Sequence, residues 1–172
     1  MIQDLAGNPL AAITDQSWTF TTMTEPASDL FFSEYIEGSS NNKALEIYNP
    51  TGAPVDLSTY VIKQANNGSG WGNVGGTPDT RYVLPLTGTL EPGEVLVLAN
   101  ASADQIILDL ADYTYAYDNT ANGSDGSNVL AFNGNDAVGL FKNDVLIDVI
   151  GDPTSDADFD VAGITGAGKD HT

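Results

Sequence analysis

The stretch LFFSEYIEGSSNNKALEIYNP, residues 30–50, decides the fold class, because it contains two alternating segments joined by a polar loop. One face of the first segment carries three apolar residues, Leu30, Phe32 and Ile36. In the second segment Leu45 and Ile47 flank Glu46, the period-two pattern of a strand with one buried face. Pro50 then ends the strand, since proline cannot donate to a β ladder. The stretch predicts a β-hairpin.

Further strand-like segments follow at short intervals, bounded by glycine, asparagine, aspartate or proline. They are residues 59–65, 81–86, 94–100, 128–133, 136–141 and 145–151. One stretch differs: Ser102 can cap a helix and the apolar residues after it share one helical face, which predicts a short helix over residues 103–112. Many short strands with one inserted helix favour an all-β, antiparallel β-sandwich of the immunoglobulin type.

The charge of the chain restricts its partners. Twenty-four acidic residues against five basic ones give the 172 residues a formal charge of −19. Nucleic-acid phosphates and anionic membranes attract basic surfaces, so neither is expected as a direct partner, although a bridging cation would permit nucleic-acid binding. No apolar run approaches the roughly 20 residues of a transmembrane span. The absence of cysteine excludes disulfides and thiolate chemistry.

Three segments carry a resemblance to a known family. They are LFFSEYIEGSSNNKALEIYNPTGAPVDLSTYVI, LTGTLEPGEVLVLANAS and NGNDAVGLFKNDVLIDVIG. In their order and spacing they resemble the bacterial lamin-tail domain family, over residues 27–172. The resemblance implies an immunoglobulin-like sandwich, of which we expect the last strand to be missing or truncated. Residues 1–26, which include DLAGNPLAA and SWTFTT, resemble the end of a bacterial Ig-like domain. We expect them to be the tail of a preceding domain or an N-terminal arm.

The resemblance also implies a function. In bacteria such domains sit beside secreted or surface-attached hydrolases. We therefore expect a non-catalytic, extracellular or cell-surface module that docks or localises an attached hydrolase, binds a protein or a surface glycan, and is monomeric in isolation. Two alternatives from other classes stay open. One is a Ca²⁺-dependent carbohydrate- or nucleic-acid-binding module, and the other is a structural spacer in a tandem surface array.

The residue types that catalysis requires are scarce. Nucleophilic catalysis of the Ser-His-Asp kind needs a histidine base, and the one histidine, His171, lies close to the end of the sequence. Carboxylates are plentiful, but their number alone does not define an acid–base pair. Since no nucleophile–base set is found, we expect that the module is not an enzyme.

Two acidic loops are candidate calcium sites. In the first acidic loop, residues 118–125, Asp118 and Asn122 stand at positions one and five before a glycine, as at the start of a calcium-binding loop, and Asp125 follows. Position twelve is Val129, so the loop is not an EF-hand. The second acidic loop carries three carboxylates, Asp156, Asp158 and Asp160. Oxygen ligands suit Ca²⁺, and the alternative for both loops is a solvated acidic surface.

Two further binding candidates lie outside the acidic loops. Trp71 is in a glycine-rich loop, where tryptophan needs either a packing partner or a ligand such as a sugar or nucleobase. Glu34 and Glu46 lie on neighbouring strands of the predicted hairpin. The structural interpretation is that Glu46 accepts hydrogen bonds from nearby groups. The functional interpretation is that the two glutamates bind a cation or a lysine of a partner.

Overall fold

The computed structural model describes residues 27–120 and 123–160, so the predictions for residues 1–26, Asn122 and His171 lie outside the described residues. In the described part, twelve strands and one short α-helix follow one another along the chain. They are β1 Phe31–Glu37, β2 Lys43–Tyr48, β3 Val55–Asp56, β4 Tyr60–Ala65, β5 Asn73–Val74, β6 Thr77–Pro78, β7 Val83–Pro85, β8 Thr89–Leu90, β9 Val95–Asn100, α1 Gln105–Leu108, β10 Tyr113–Tyr115, β11 Ala137–Lys142 and β12 Val145–Ile150. Short 3-10 turns occupy Leu57–Thr59, Asn66–Gly68 and Thr80–Tyr82.

The longer strands form two four-stranded sheets that enclose the core. The first sheet has the order β1-β2-β9-β10, and the second has the order β12-β11-β4-β7. Two small ribbons, β3-β8 and β5-β6, complete the described strands. Among these, β9 pairs with β10 in parallel and the remaining pairs are antiparallel. The arrangement confirms the predicted all-β, immunoglobulin-like antiparallel β-sandwich with one short helix.

The core follows the alternation of the strands. Leu45 and Ile47 on β2 are 1% and 0% exposed, as the period-two pattern predicts. The second sheet contributes fully buried residues to the same core, among them Ile62, Val138 and Leu140. Burying one such side chain contributes about 1.5–3 kcal/mol, so the two inner faces hold the sheets together.

The prediction of a strand at residues 128–133 is wrong. The segment is a series of turns that begins with the N–H of Val129 donating to the carbonyl of Gly126. Asp118 forms hydrogen bonds with the side chain of the buried Asn128 instead of with a neighbouring strand. The Asn128 amide nitrogen donates to the carbonyl of Asp118, and the Asn128 amide oxygen accepts from the N–H of Asp118. The segment nevertheless fills the core with three fully buried side chains, Val129, Leu130 and Phe132. The apolar residues of this segment therefore indicate that it is buried, but they do not indicate a strand.

The predicted short helix exists, but its bounds are wrong. α1 covers only four residues, and the residue before it is Asp104 instead of Ser102. Asp104 is bound to the β1–β2 hairpin, because its N–H donates to the Asn42 side-chain oxygen at 2.7 Å and its carboxylate accepts from the Asn42 amide nitrogen at 2.9 Å. In the described part of the chain, no helix has the length and apolar character to cross a membrane.

Candidate binding surface

An apolar groove lies on the outer face of the first sheet, away from the core. Strands β1, β2 and β9 form its floor, α1 and the residues after it form one wall, and its volume is about 270 Å³. The apolar residues that line it are Ile36, Ala44, Leu45, Val95, Val97, Ile107 and Leu110. We call this surface the outer groove.

A β-bulge in β1 brings Ile36 to the outer groove. The register between β1 and β2 shifts between Phe32 and Glu34, and the extra residue turns the rest of the strand over. Ile36 therefore faces outward and is 37% exposed, whereas Glu37 is only 6% exposed. For this reason the prediction that Ile36 shares one face with Leu30 and Phe32 is wrong.

The wall formed by α1 is too short to cover the sheet face beside it. Asp112 turns the chain back onto β9, because its carboxylate accepts from the N–H of Val97 at 2.8 Å and its own N–H donates to the carbonyl of Val97. The outer groove consequently stays open, with Leu110 72% and Val95 40% exposed. Contiguous exposed apolar residues with polar groups around them mark interaction sites.

Two glutamates lie in the floor of the outer groove, between the row of Ile36 and Ala44 and the row of Val95. Glu34 on β1 is directly opposite Glu46 on β2, and Val97 on β9 is next in the same row. Glu46 Oε1 accepts a hydrogen bond from Ser33 Oγ at 2.7 Å, which agrees with the structural interpretation of this residue. Like charges directly opposite each other on neighbouring strands destabilise a sheet. This glutamate pair therefore lowers the stability of the hairpin unless a cation binds to it.

The described basic residues bind carboxylates elsewhere in the fold. Their ion pairs are Lys43–Glu37, Lys63–Asp144, Arg81–Asp79 and Lys142–Asp29. Within residues 27–120 and 123–160 these are all of the lysines and arginines, and none of them forms an ion pair with the glutamate pair. The side chains of Lys43 and Glu37 are 7% and 3% exposed, so this pair is buried at the end of the hairpin.

Ionisable groups are also buried between the sheets. The carboxylate of Asp136 accepts hydrogen bonds from the N–H groups of Asn67 at 2.7 Å and Asn133 at 3.0 Å. Burial raises the pKa of Asp136, and these hydrogen bonds offset the rise only in part. Burial likewise raises the pKa of the Tyr35 phenol, and the negative charge of Glu37 raises it further. The hydrogen bonds to Asp136 fix the loop after β4 and the loop before β11. Among the described residues there is neither a histidine nor a cysteine that could complete a nucleophile–base set.

The predicted calcium ligands lie in the two acidic loops. The carboxylate of Asp118 accepts from the hydroxyl and the N–H of Thr120 at 2.7 and 2.8 Å, and these bonds lower its pKa. The other described candidates are exposed, namely Asp125, Asp156, Asp158 and Asp160. In the part of the chain that the structure describes, no three acidic or imidazole groups come close enough to hold a metal ion. Because Asn122 lies outside that part, calcium binding stays a prediction.

Trp71 has a packing partner on the outer face of the second sheet. Its ring meets the ring of Phe141 edge-on, with the centroids 5.4 Å apart, and the ammonium of Lys63 lies 4.6 Å from the centroid of the same Phe141 ring. Gly139 leaves room for the indole, because a Cβ atom there would stand 2.9 Å from Trp71 Cη2. This packing explains the tryptophan, and its binding role stays a prediction.

The apolar residues of the outer groove were not predicted from the sequence as a binding surface. A signal for them exists in β9, where VLVLA is apolar at every position. A strand with one face in water alternates between apolar and polar residues, so Val95 and Val97 indicate an outer face that is at least partly covered or bound. The apolar residues after Ser102 share one helical face in the sequence-based prediction, and one of them, Leu110, is exposed in the structure.

The two enclosing sheets and the open outer groove define the class of the protein as an immunoglobulin-like β-sandwich module. The sequence profile of the Lamin Tail Domain matches residues 23–154, which is most of the chain, and the chain belongs to this family. The predicted lamin-tail family is therefore confirmed, whereas the bacterial origin and the Ig-like remnant at residues 1–26 stay predictions. Domains of this family are generally non-enzymatic, in agreement with a non-catalytic module. Comparison with curated proteins gives no significant match.

Proposed function

We propose that this chain is a non-catalytic binding and localisation module of a larger secreted or cell-surface protein, in which it docks an attached hydrolase. The outer groove is the observation that carries the proposal, because it is an open apolar surface on an otherwise strongly acidic molecule. The module is a monomer, and the partner binds over β1, β2 and β9 next to α1.

The exposed apolar residues of the outer groove can supply the energy of docking. Ile36, Val95 and Leu110 are 37%, 40% and 72% exposed, and burying one such side chain completely contributes about 1.5–3 kcal/mol. Burying the surface that is still exposed on these three side chains would therefore contribute a few kcal/mol to docking. That is modest for two free proteins, but it is sufficient within one polypeptide, where a short linker gives a millimolar effective concentration.

Hydrogen exchange of the parent protein tests the proposal. Docking should slow exchange of the α1 amides in the intact parent protein relative to the isolated chain, because the docked domain excludes water from that wall. The variant Leu110→Arg should abolish this protection, since it places a charge in the apolar contact. The matched control is Val145→Arg, on β12 outside the outer groove at a residue that is 63% exposed, and it should retain the protection. Equal exchange of α1 in both proteins would contradict docking.

The two alternatives derived from the sequence do not use the outer groove. A Ca²⁺-dependent carbohydrate- or nucleic-acid-binding module would bind through the acidic loops, and a structural spacer would bind nothing. In both cases Leu110→Arg would leave the hydrogen exchange of the α1 amides in the parent protein unchanged. A Ca²⁺ titration then separates the binding module from the spacer.

A further inference from the structure

We propose that the outer groove binds a partner segment in which an apolar side chain stands close to a lysine or arginine, and that Glu34 and Glu46 together bind this cation. The inference rests on the proposed function and specifies the chemistry of the docked partner. The apolar side chain contacts the apolar residues of the groove, and the basic side chain lies between the two carboxylates of its floor.

The position of the glutamate pair is the first argument. Glu34 and Glu46 are cross-strand partners on the outer face, where their Cβ atoms stand about 4.5–5.5 Å apart. Like charges on directly opposite residues repel each other, and a single ammonium or guanidinium group can bind to both carboxylates. A neutral partner would leave the repulsion in place, whereas a cationic partner removes it.

The distribution of the basic residues is the second argument. The described lysines and arginines are held in ion pairs with other carboxylates, so they are not available to the glutamate pair. The chain as a whole has 24 acidic residues and five basic ones. None of the basic residues in the described part of the chain supplies the cation, so we assign it to the partner, and the long-range field of the module attracts a basic segment more strongly than a neutral one.

The spacing between the carboxylates and the apolar floor sets the sequence pattern of the partner. Ile36 follows Glu34 by two residues on β1, and Ala44 precedes Glu46 by two residues on β2. Two residues of a strand span about 6.6–6.8 Å. In an extended partner segment, side chains two residues apart point to the same side and have the same spacing. A lysine or arginine two residues from a leucine-like residue fits both parts of the surface.

Binding of a labelled synthetic peptide to the chain tests this inference. The probe repeats the pattern Lys-Ser-Leu-Ser, which places lysine and leucine on one face of an extended segment. One control peptide repeats Glu-Ser-Leu-Ser, and another repeats Lys-Leu-Ser-Ser, which disrupts the spacing. Fluorescence anisotropy at low salt should show saturable binding of the probe, with weaker binding of both controls.

Two double variants with the same change in charge locate the binding. Glu34→Gln with Glu46→Gln removes the glutamate pair but keeps an acceptor for Ser33. Glu91→Gln with Asp152→Asn neutralises two exposed carboxylates that do not line the outer groove. The first variant should weaken probe binding about threefold to tenfold, the range that exposed ion pairs support. The second should weaken it by less than about twofold.

Each remaining outcome overturns the inference. No saturable binding of the probe, or equal weakening in the two double variants, would show that the glutamate pair has no specific role. The proposed function is tested separately, because Leu110→Arg acts on the apolar contact. If Leu110→Arg abolishes protection of α1 in the parent protein while the glutamate variant does not weaken the probe, docking stands and the cationic partner is wrong. If Leu110→Arg leaves α1 protected, docking through the outer groove is wrong.

Discussion

The buried ion pair at the end of the β1–β2 hairpin gives the sharpest test of the fold. Lys43 Nζ contacts Glu37 Oε1 and also donates to the carbonyl of Gly38, and the two charged side chains are only 7% and 3% exposed. Lys43→Met would leave the Glu37 carboxylate buried without its counter-ion. Breaking a buried pair in this way costs about 3–5 kcal/mol. For a domain of this size each kcal/mol lowers the melting temperature by about 2–4 °C, so we expect a decrease of roughly 6–20 °C.

Equilibrium unfolding in urea measures this cost, and two further variants make it specific. The double variant Glu37→Leu with Lys43→Met replaces the pair by apolar side chains and should regain most of the lost stability, because it leaves no buried charge. Asp144→Asn removes the exposed partner of Lys63 and should cost less than about 1 kcal/mol. The reasoning is refuted if Lys43→Met costs less than about 1 kcal/mol, or if the double variant is no more stable than the single one.

Three further outcomes are expected. Gly139→Ala should lower stability by about 1–3 kcal/mol in thermal unfolding, because the new Cβ would stand 2.9 Å from Trp71 Cη2; an unchanged melting temperature would contradict this packing. Asp29 is partly buried, which raises its pKa, but hydrogen bonds from Lys142 and Tyr60 outweigh burial and leave the pKa below 3.8. Ionised Asp29 therefore stabilises the fold fully at pH values well above 3.8, and this contribution is lost as the pH falls through the folded-state pKa. In urea unfolding, Asp29→Asn should reduce the decrease of the free energy of unfolding at acidic pH. A saturable rise in melting temperature with Ca²⁺ but not Mg²⁺ would support calcium binding by the acidic loops, with about 2.7 kcal/mol gained at 100 times Kd, whereas a general salt effect would refute it.

Structural features that depend on residues adjacent in the sequence could be predicted. The polar loop after β1 does return the chain into the antiparallel strand β2, as its alternating flanks indicate. The turn between β11 and β12 is formed by Asn143 and Asp144, at φ values of 49° and 63°. Asparagine and aspartate tolerate positive φ better than most other residues, so the sequence already indicates this hairpin.

The features that depend on contacts between distant segments could not be predicted. The bulge in β1 is one example, since a single extra residue reverses the faces of Glu34 and Ile36 without changing the composition of the strand. The length of α1 is another, because Asp112 bonds to the backbone of Val97 instead of continuing the helix. The outer groove exists only through both features, which explains why its apolar residues were not recognised from the sequence.

The glutamate pair also bears on the question of whether the outer groove binds a second copy of the chain. A two-fold interface places the same patch of each copy against its counterpart. In such a dimer the carboxylates of Glu34 and Glu46 would be brought toward those of the second copy, and two chains with a formal charge of −19 would meet. Repulsion between like charges opposes that contact, while a basic segment reverses the sign of the same interaction. The residues that lower the stability of the isolated hairpin therefore disfavour self-association, and they direct an exposed apolar surface toward a cationic partner.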